Sequence, residues 1–138
     1  MDAATLHALH TSAFGHLRAH GWGEADFARA LEDEKYVVVM QPDGYALALC
    51  VLDEAELLLI AALPGARRKG VGTALLAALE SRLAARGGTR LTLEVMEANS
   101  AATEFYRARG FREVGLRPQY YGRGPGHGAR LFEKPLKS

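Results

Sequence analysis

Apolar residues recur along the chain with two different periods, and the period changes from one segment to the next. Spacings of three and four residues are typical of a helix with one buried face, whereas alternation or a short apolar run is typical of a strand. On this basis the predicted helices cover residues 5–17, 24–31, 70–86 and 100–109. The predicted strands cover residues 35–40, 45–52, 56–63, 90–95, 111–116 and 129–134.

The order of these elements predicts how several strands pair. A turn at residues 41–44 joins the first two strands into a hairpin. Short links join the strand at 56–63, the helix at 70–86 and the strand at 90–95, which is the arrangement of a right-handed βαβ unit with parallel strands. The glycine-rich segment 121–128 is predicted to be a mobile loop. The fold class is therefore α/β.

Length and composition favour a single globular domain over residues 1–138. Of the 138 residues, 49% are hydrophobic and 24% are charged, proportions that exclude a disordered or fibrous protein. The formal net charge of +1 does not indicate a nucleic-acid-binding or membrane-surface protein. The longest apolar run, residues 57–63, is too short to cross a bilayer. Because Cys50 is the only cysteine, we expect a reducing, cytoplasmic location without disulfides.

The charge is distributed unevenly along the chain. Residues 1–66 contain three basic and ten acidic side chains, residues 67–106 six and four, and residues 107–138 eight and two. These segments carry net charges of −7, +2 and +6. The change of sign begins at three consecutive cations, which makes the segment that contains them a candidate for an anion site.

These cations open a glycine-containing segment between the buried strand and the longest helix. It consists of Arg67, Arg68, Lys69, Gly70, Val71, Gly72 and Thr73. Glycines allow a tight turn that presents backbone amides, and a helix start adds partial positive charge, so a pyrophosphate site is predicted. A Walker loop requires Lys where Val71 stands, and a dinucleotide fingerprint requires Gly or Ala where Leu75 stands. The alternative is a glycine-rich turn whose cations are only solvated.

Two titratable residues are candidates for proton transfer. Glu94 stands in an otherwise apolar strand, and Tyr106 lies in the following helix. A carboxylate near the end of a buried strand can act as a base, and a tyrosine hydroxyl can return a proton. Spacing alone favours Glu94 on an exposed face and Tyr106 as a core aromatic residue. Asn99 could bind a ligand, although capping of the next helix is the favoured interpretation.

We expect no metal site and no covalent nucleophile. His7 and His10 have the three-residue spacing of some helical zinc ligands, but no third ligand with a fixed geometry follows nearby. Cys50 lies in a predicted strand without an adjacent histidine, so we expect it to fill the core rather than carry an acyl group.

Taken together, the motifs resemble those of the GNAT superfamily of acetyl-CoA-dependent N-acyltransferases. Segment 67–72 is similar to its Gln/Arg-x-x-Gly-x-Gly/Ala motif, in the expected position between a strand and a helix. Within the superfamily, the chain resembles the RimI-type ribosomal-protein alanine N-acetyltransferases over nearly its whole length. The motifs that match their spacing are Leu93-Glu94-Val95, Asn99-Ser100-Ala101-Ala102, Tyr106, Gly110-Phe111, Arg117-x-x-Tyr120-Tyr121 and Trp22-x-Glu24-x-x-Phe27.

The resemblance implies a fold and a co-substrate. The fold is a mixed, mostly antiparallel sheet with splayed central parallel strands and helices on both faces. Acetyl-CoA is the implied co-substrate, with its pantetheine arm along the backbone of Ile60, Ala61 and Ala62. The pyrophosphate would lie on the loop at residues 67–73, and Asn99 would also contact the cofactor.

The resemblance also implies a reaction. Glu94 would accept the proton of the acceptor amine through water, Tyr106 would protonate the departing thiolate, and transfer would be direct. Trp22, Tyr120 and Tyr121 would border the acceptor. The expected acceptor is the N-terminal alanine of a small-subunit ribosomal protein, without direct nucleic-acid or membrane binding. The alternatives are acetylation of lysine, a polyamine or another small amine, or a non-catalytic CoA-binding module.

Three features depart from the family pattern. Family members usually begin with a strand before the first helix, and here we expect that strand to be absent or shortened. The neighbouring strand would then have an open edge, which permits a monomer or a homodimer. Gly23 replaces a small polar residue after the early tryptophan, and the loop 122–128 is rich in glycine and poor in acids. The last two departures concern the acceptor side.

Overall fold

The computed structural model describes residues 2–14, 22–66, 70–118, 120 and 122–137. Its strands are β1 (Tyr36–Gln41), β2 (Gly44–Val51), β3 (Glu54–Ala62), β4 (Arg90–Met96), β5 (Arg112–Arg117) and β6 (Ala129–Pro135). Its α-helices are α1 (Ala3–Phe14), α2 (Glu24–Glu32), α3 (Val71–Ala85) and α4 (Ser100–Ala108). Every predicted element is present, with bounds that agree within two residues except at the end of α1. The prediction took that helix to residue 17, which lies outside the described residues.

One sheet contains the six strands, in the order β1-β2-β3-β4-β6-β5. β3 and β4 are parallel and α3 connects them, as predicted for the βαβ unit. The other neighbouring strands are antiparallel. The predicted mixed, mostly antiparallel sheet is therefore confirmed.

The helices cover both faces of the sheet, and each face has its own apolar core. On one face α3 and α4 contribute to a core that includes Leu79 of α3 and Phe132 of β6, which are almost completely buried. On the other face α1 and α2 form a second core with the sheet, which includes Phe27 of α2 and Tyr45 of β2, both fully buried. In the described part of the chain, no helix is long and apolar enough to cross a membrane.

β1 forms one edge of the sheet, and no strand precedes α1 among the described residues. The open side of β1 therefore has backbone groups without a strand partner. Arg82 of α3 covers part of this edge, because its guanidinium donates a hydrogen bond of 2.5 Å to the carbonyl of Val38. Arg86, one turn later, donates to the carbonyl of Glu34 just before β1. Two arginine side chains thus occupy backbone acceptors at the open edge.

A β-bulge at Leu58 separates β3 from β4. The residues on either side of Leu58 oppose consecutive residues of β2, so Leu58 is an extra residue in the ladder. A bulge bends its strand and increases the local twist. Residues 54–56 of β3 pair with residues 90–92 of β4, and the ladder ends there. Beyond this point the two strands separate, as expected for splayed parallel strands.

The turn between β2 and β3 yields a prediction about stability. Leu52 is 98% exposed and has a φ of 58°, in the left-handed region that leucine disfavours. Leu52→Gly should raise the free energy of unfolding by about 0.5–1 kcal/mol, because relief of the strain exceeds the entropy that glycine adds to the unfolded chain. Urea denaturation measures this change. Val51→Gly, at the end of a strand, should lower the same free energy, and a loss of stability in Leu52→Gly would contradict the prediction.

Candidate active site

The separation of β3 from β4 opens a cleft of about 300 Å³ in the sheet. Its residues are Leu57, Leu58, Leu59, Ile60, Leu93, Glu94, Val95, Met96, Asn99, Ala102 and Tyr106. Most of these side chains are apolar, but the strand edges along the cleft have no ladder hydrogen bonds between them. The cleft can therefore accept an extended chain that offers both apolar groups and amides.

The β3 residues that were predicted to present backbone to a cofactor lie at this cleft or beside it. Ile60 lines the cleft. Ala61 and Ala62 pair with Tyr45 and Gly44 of β2. One edge of β3 is therefore held by β2, and its other edge faces the cleft.

Tyr106 lines the cleft from α4. Its ring packs edge-on against Phe105 and Phe111, with centroid distances of 5.2 and 5.5 Å, and only 8% of the residue is exposed. Burial raises the pKa of the Tyr106 hydroxyl to about 12. The hydroxyl is therefore protonated at neutral pH and can act as a donor. Tyr106 is a core aromatic residue and a cleft residue at the same time.

Glu94 lines the cleft from β4. Because side chains alternate along a strand, Glu94 points away from the core that contains Leu93 and Val95. Its side chain is 20% exposed, and its Oε1 lies 3.3 Å from Nη1 of Arg117 in β5. Spacing alone had favoured an exposed face, but the side chain is mostly buried beside a cation.

Glu94 also lines a second pocket of about 210 Å³, which we call the outer pocket. The residues of the outer pocket are Glu56, Thr92, Leu93, Glu94, Val114, Arg117, Leu131 and Phe132. Val114 belongs to a second bulge, where the register of β5 against β6 shifts. The Glu94 carboxylate therefore lies between the cleft and the outer pocket.

The predicted phosphate loop is described only from Gly70 onwards. Arg67, Arg68 and Lys69 lie outside the described residues. Gly70 is the N-cap of α3 with a φ of 81°, a left-handed conformation that favours glycine. Gly72 has a different role, because a Cβ there would lie 3.3 Å from Cζ of Phe105 in α4. Val71, Gly72 and Thr73 form the first turn of α3, in which the backbone amides have no partner within the helix.

Asn99 caps α4, as the favoured interpretation predicted, and it also lies at the cleft. It is the N-cap of α4, and its Oδ1 accepts a hydrogen bond of 3.1 Å from the backbone N–H of Ala102. The same side chain lines the cleft. Its amide nitrogen remains able to donate to a ligand, so the two interpretations of Asn99 are compatible.

The structure describes two of the three predicted acceptor residues, Trp22 and Tyr120. Trp22 precedes the N-cap of α2 and packs 5.2 Å from the ring of Phe27, as a hydrophobic staple. It lines neither the cleft nor the outer pocket. Tyr120 is 52% exposed, with the guanidinium of Arg117 5.3 Å from its ring centroid. Tyr121 lies outside the described residues.

Of the two histidines with the spacing of zinc ligands, His10 is hydrogen-bonded to a tyrosine. Nδ1 of His10 and the hydroxyl of Tyr45 share a buried hydrogen bond of 2.5 Å. Across the residues that the structure describes, no group of three His, Cys, Asp or Glu side chains could hold a metal ion.

Sequence reasoning missed the partner of Glu94 and most of the outer pocket. The sequence indicated Arg117 only as part of a motif, and no sequence pattern indicated a role for Glu56 or Val114. The ion pair of Arg117 with Glu94 depends on β6 lying between β4 and β5. That strand order could not be read from local patterns.

Known proteins match this chain over most of its length. A model described as the Acetyltransferase (GNAT) family matches residues 3–111. The ribosomal protein bS18-alanine N-acetyltransferase of Escherichia coli K12 is 40% identical over 111 residues, which are 75% of this chain and 74% of that protein.

Solved structures show the same fold. The crystal structure of the ribosomal-protein-S18-alanine N-acetyltransferase from Escherichia coli has a TM-score of 0.80 and 31% identity, and the match covers 99% of this chain and 88% of that chain. An aminoglycoside 6′-N-acetyltransferase complexed with coenzyme A has a TM-score of 0.77 at 17% identity, covering 99% and 91%, and shares the fold. With the family model and a relative at 40% identity in agreement, the chain belongs to the GNAT family and is an acetyltransferase.

Proposed function

We propose that the protein transfers an acetyl group from acetyl-CoA to the N-terminal alanine of ribosomal protein bS18. The observation that carries this proposal is that Glu94 lines both the cleft and the outer pocket. A thioester can reach this carboxylate from one side and an amine from the other. The likeness to the Escherichia coli enzyme supports the acceptor. Residues 1–138 would act as one domain in the cytoplasm, where ribosomal proteins are made.

The cleft fits the pantetheine arm of acetyl-CoA. Pantetheine is an extended chain with amides, and the edge of β3 that contains Ile60 has no strand partner on the cleft side. The arm would pair with this edge as an added strand. Backbone amides at Gly70 and Gly72, with the cations at residues 67–69, would bind the pyrophosphate. Asn99 would donate its side-chain amide to the arm.

Glu94 would act as the general base. Acetyl-CoA, when bound, supplies the acetyl group as a thioester. A protein α-amine has a pKa near 8, so much of it is protonated at neutral pH and must lose a proton before it attacks. Glu94 would accept that proton through a water molecule, while Arg117 holds the carboxylate in place. A backbone amide of β3 would stabilise the negative charge that develops on the acetyl oxygen.

Tyr106 would act as the general acid. Burial raises its pKa to about 12, so the hydroxyl carries its proton throughout the physiological range. It would give that proton to the departing thiolate. Transfer would be direct, because Cys50 lies in β2 and does not line the cleft.

A peptide panel tests the proposed acceptor. The protein is mixed with acetyl-CoA and either N-terminal peptides, lysine-containing peptides with a blocked N-terminus, or polyamines, and release of free thiol is followed. We expect the fastest release with a peptide that begins with the alanine sequence of bS18. Faster release with lysine or polyamines would replace the proposed acceptor. Binding of acetyl-CoA without any release would indicate a non-catalytic module.

Glu94→Gln tests the base. We expect kcat to fall about tenfold at pH 7 while the Kd for acetyl-CoA is unchanged, because only the unprotonated fraction of the amine, about a tenth for a pKa near 8, can then react. The defect should shrink as the pH rises above the amine pKa near 8. The matched control is Glu104→Gln, on the exposed side of α4, which should retain activity. Unchanged turnover at neutral pH would remove Glu94 from the mechanism.

Tyr106→Phe tests the acid, because it keeps the packed ring and removes only the hydroxyl. We expect kcat to fall by about 10- to 100-fold, with the KM for acetyl-CoA unchanged. The shape of the pH–rate profile between pH 6 and about 9 should also persist, since a group with a pKa of about 12 does not titrate there. Tyr36→Phe, a matched change beside Trp22, should leave the rate unaltered. A full rate in Tyr106→Phe would contradict the assignment.

A further inference from the structure

The start of α3 and the end of α4 make an unusually close contact. Gly72 lies in the first turn of α3, and any larger residue there would meet the ring of Phe105 in α4. Because of this close approach, side chains from the last turn of α4 can reach the free amides of the first turn of α3. The contact therefore joins a second element to the predicted phosphate loop.

Arg109, the C-cap of α4, lies at this contact and interacts with both helices. Its guanidinium carbon lies 4.9 Å from the centroid of the Phe105 ring, and its Nε donates a hydrogen bond of 3.1 Å to Oγ1 of Thr73. Stacking and this bond hold the planar guanidinium in one orientation. Arg109 thus places a cation next to the first turn of α3.

The terminal nitrogens of Arg109 are not used within the described part of the chain. No carboxylate of the described residues forms an ion pair with Arg109, whereas Arg107, on the same helix, pairs with Glu113 at 2.8 Å. The interactions of Arg109 with Phe105 and Thr73 involve the ring face and Nε. Two NH2 groups therefore remain for an external anion, and a guanidinium binds a phosphate through two parallel hydrogen bonds.

We propose that Arg109 binds a phosphate group of coenzyme A, as a cation supplied by α4 to the phosphate site at the start of α3. This inference rests on the proposed function, because it takes acetyl-CoA as the co-substrate. Coenzyme A carries a pyrophosphate and a 3′-phosphate, and both offer the oxygens that a guanidinium recognises. Thr73 and Phe105 position the guanidinium and act through it.

Calorimetric titration of the full chain with coenzyme A tests this proposal without an acceptor. Arg109→Ala should raise the Kd for coenzyme A about tenfold, as expected for the loss of charge-assisted hydrogen bonds at a half-exposed site. Arg109→Lys should recover part of that affinity. The matched control is Arg107→Ala, two residues earlier on α4, whose Kd should stay within about twofold of the parent value.

The same titration with 3′-dephospho-coenzyme A identifies the phosphate. If Arg109 binds the 3′-phosphate, the parent protein binds the dephospho form more weakly, and Arg109→Ala weakens it no further. If Arg109 binds the pyrophosphate, the substitution weakens both ligands by the same factor. Either outcome supports the proposal and identifies which phosphate group of coenzyme A Arg109 binds.

Unchanged Kd values for both ligands in a folded Arg109→Ala protein would overturn the proposal. Folding is checked by the thermal midpoint, which should stay close to that of Arg107→Ala. If the parent protein binds coenzyme A but releases no thiol with any amine, the proposed reaction fails while the role of Arg109 is still decided by the titration. If the parent protein does not bind coenzyme A, both proposals fail.

Discussion

The separation of β3 from β4 is the constraint on which the rest of the structure depends. Unpaired backbone groups inside a fold are costly, so two parallel strands in mid-sheet normally pair along their length. Here the bulge at Leu58 bends β3, and pairing with β4 stops after three residues. The groups beyond that point face a cleft, and a ligand with amides can satisfy them. The same interruption that weakens the sheet creates the candidate binding site.

The sheet also explains why one carboxylate can serve two ligands. Alternation along β4 turns Glu94 away from the buried leucines and valine, so that its carboxylate reaches both the cleft and the outer pocket. The strand order then brings Arg117 from β5 across β6 to the same carboxylate. On the other face, α4 contributes Tyr106 to the cleft from within the apolar core. The proposed base and the proposed acid therefore come from different layers and have different degrees of burial.

Much of the candidate site could be predicted from short motifs, but several interpretations needed the three-dimensional contacts. The motif likeness indicated Glu94, Asn99 and Tyr106, and all three line one cleft. For Asn99 the sequence offered a cap or a ligand, and the structure contains the cap at the edge of the cleft. Trp22 matched an acceptor motif, yet its ring packs on Phe27 as a helix staple. A motif records which residues occur together and does not record which atoms they contact.

The sequence by itself determined the elements, their order and the family, because helix and strand periods, turn residues and motif spacing are properties of short segments. It also showed that the charge changes sign at residues 67–69, where a phosphate site is predicted. Only the tertiary structure decided where β3 bends, that Arg117 meets Glu94 and that Arg109 reaches Thr73. Each of these depends on packing between segments far apart in the chain. Local patterns contain no information about such contacts, since the strand order and the helix packing are set by the fold as a whole.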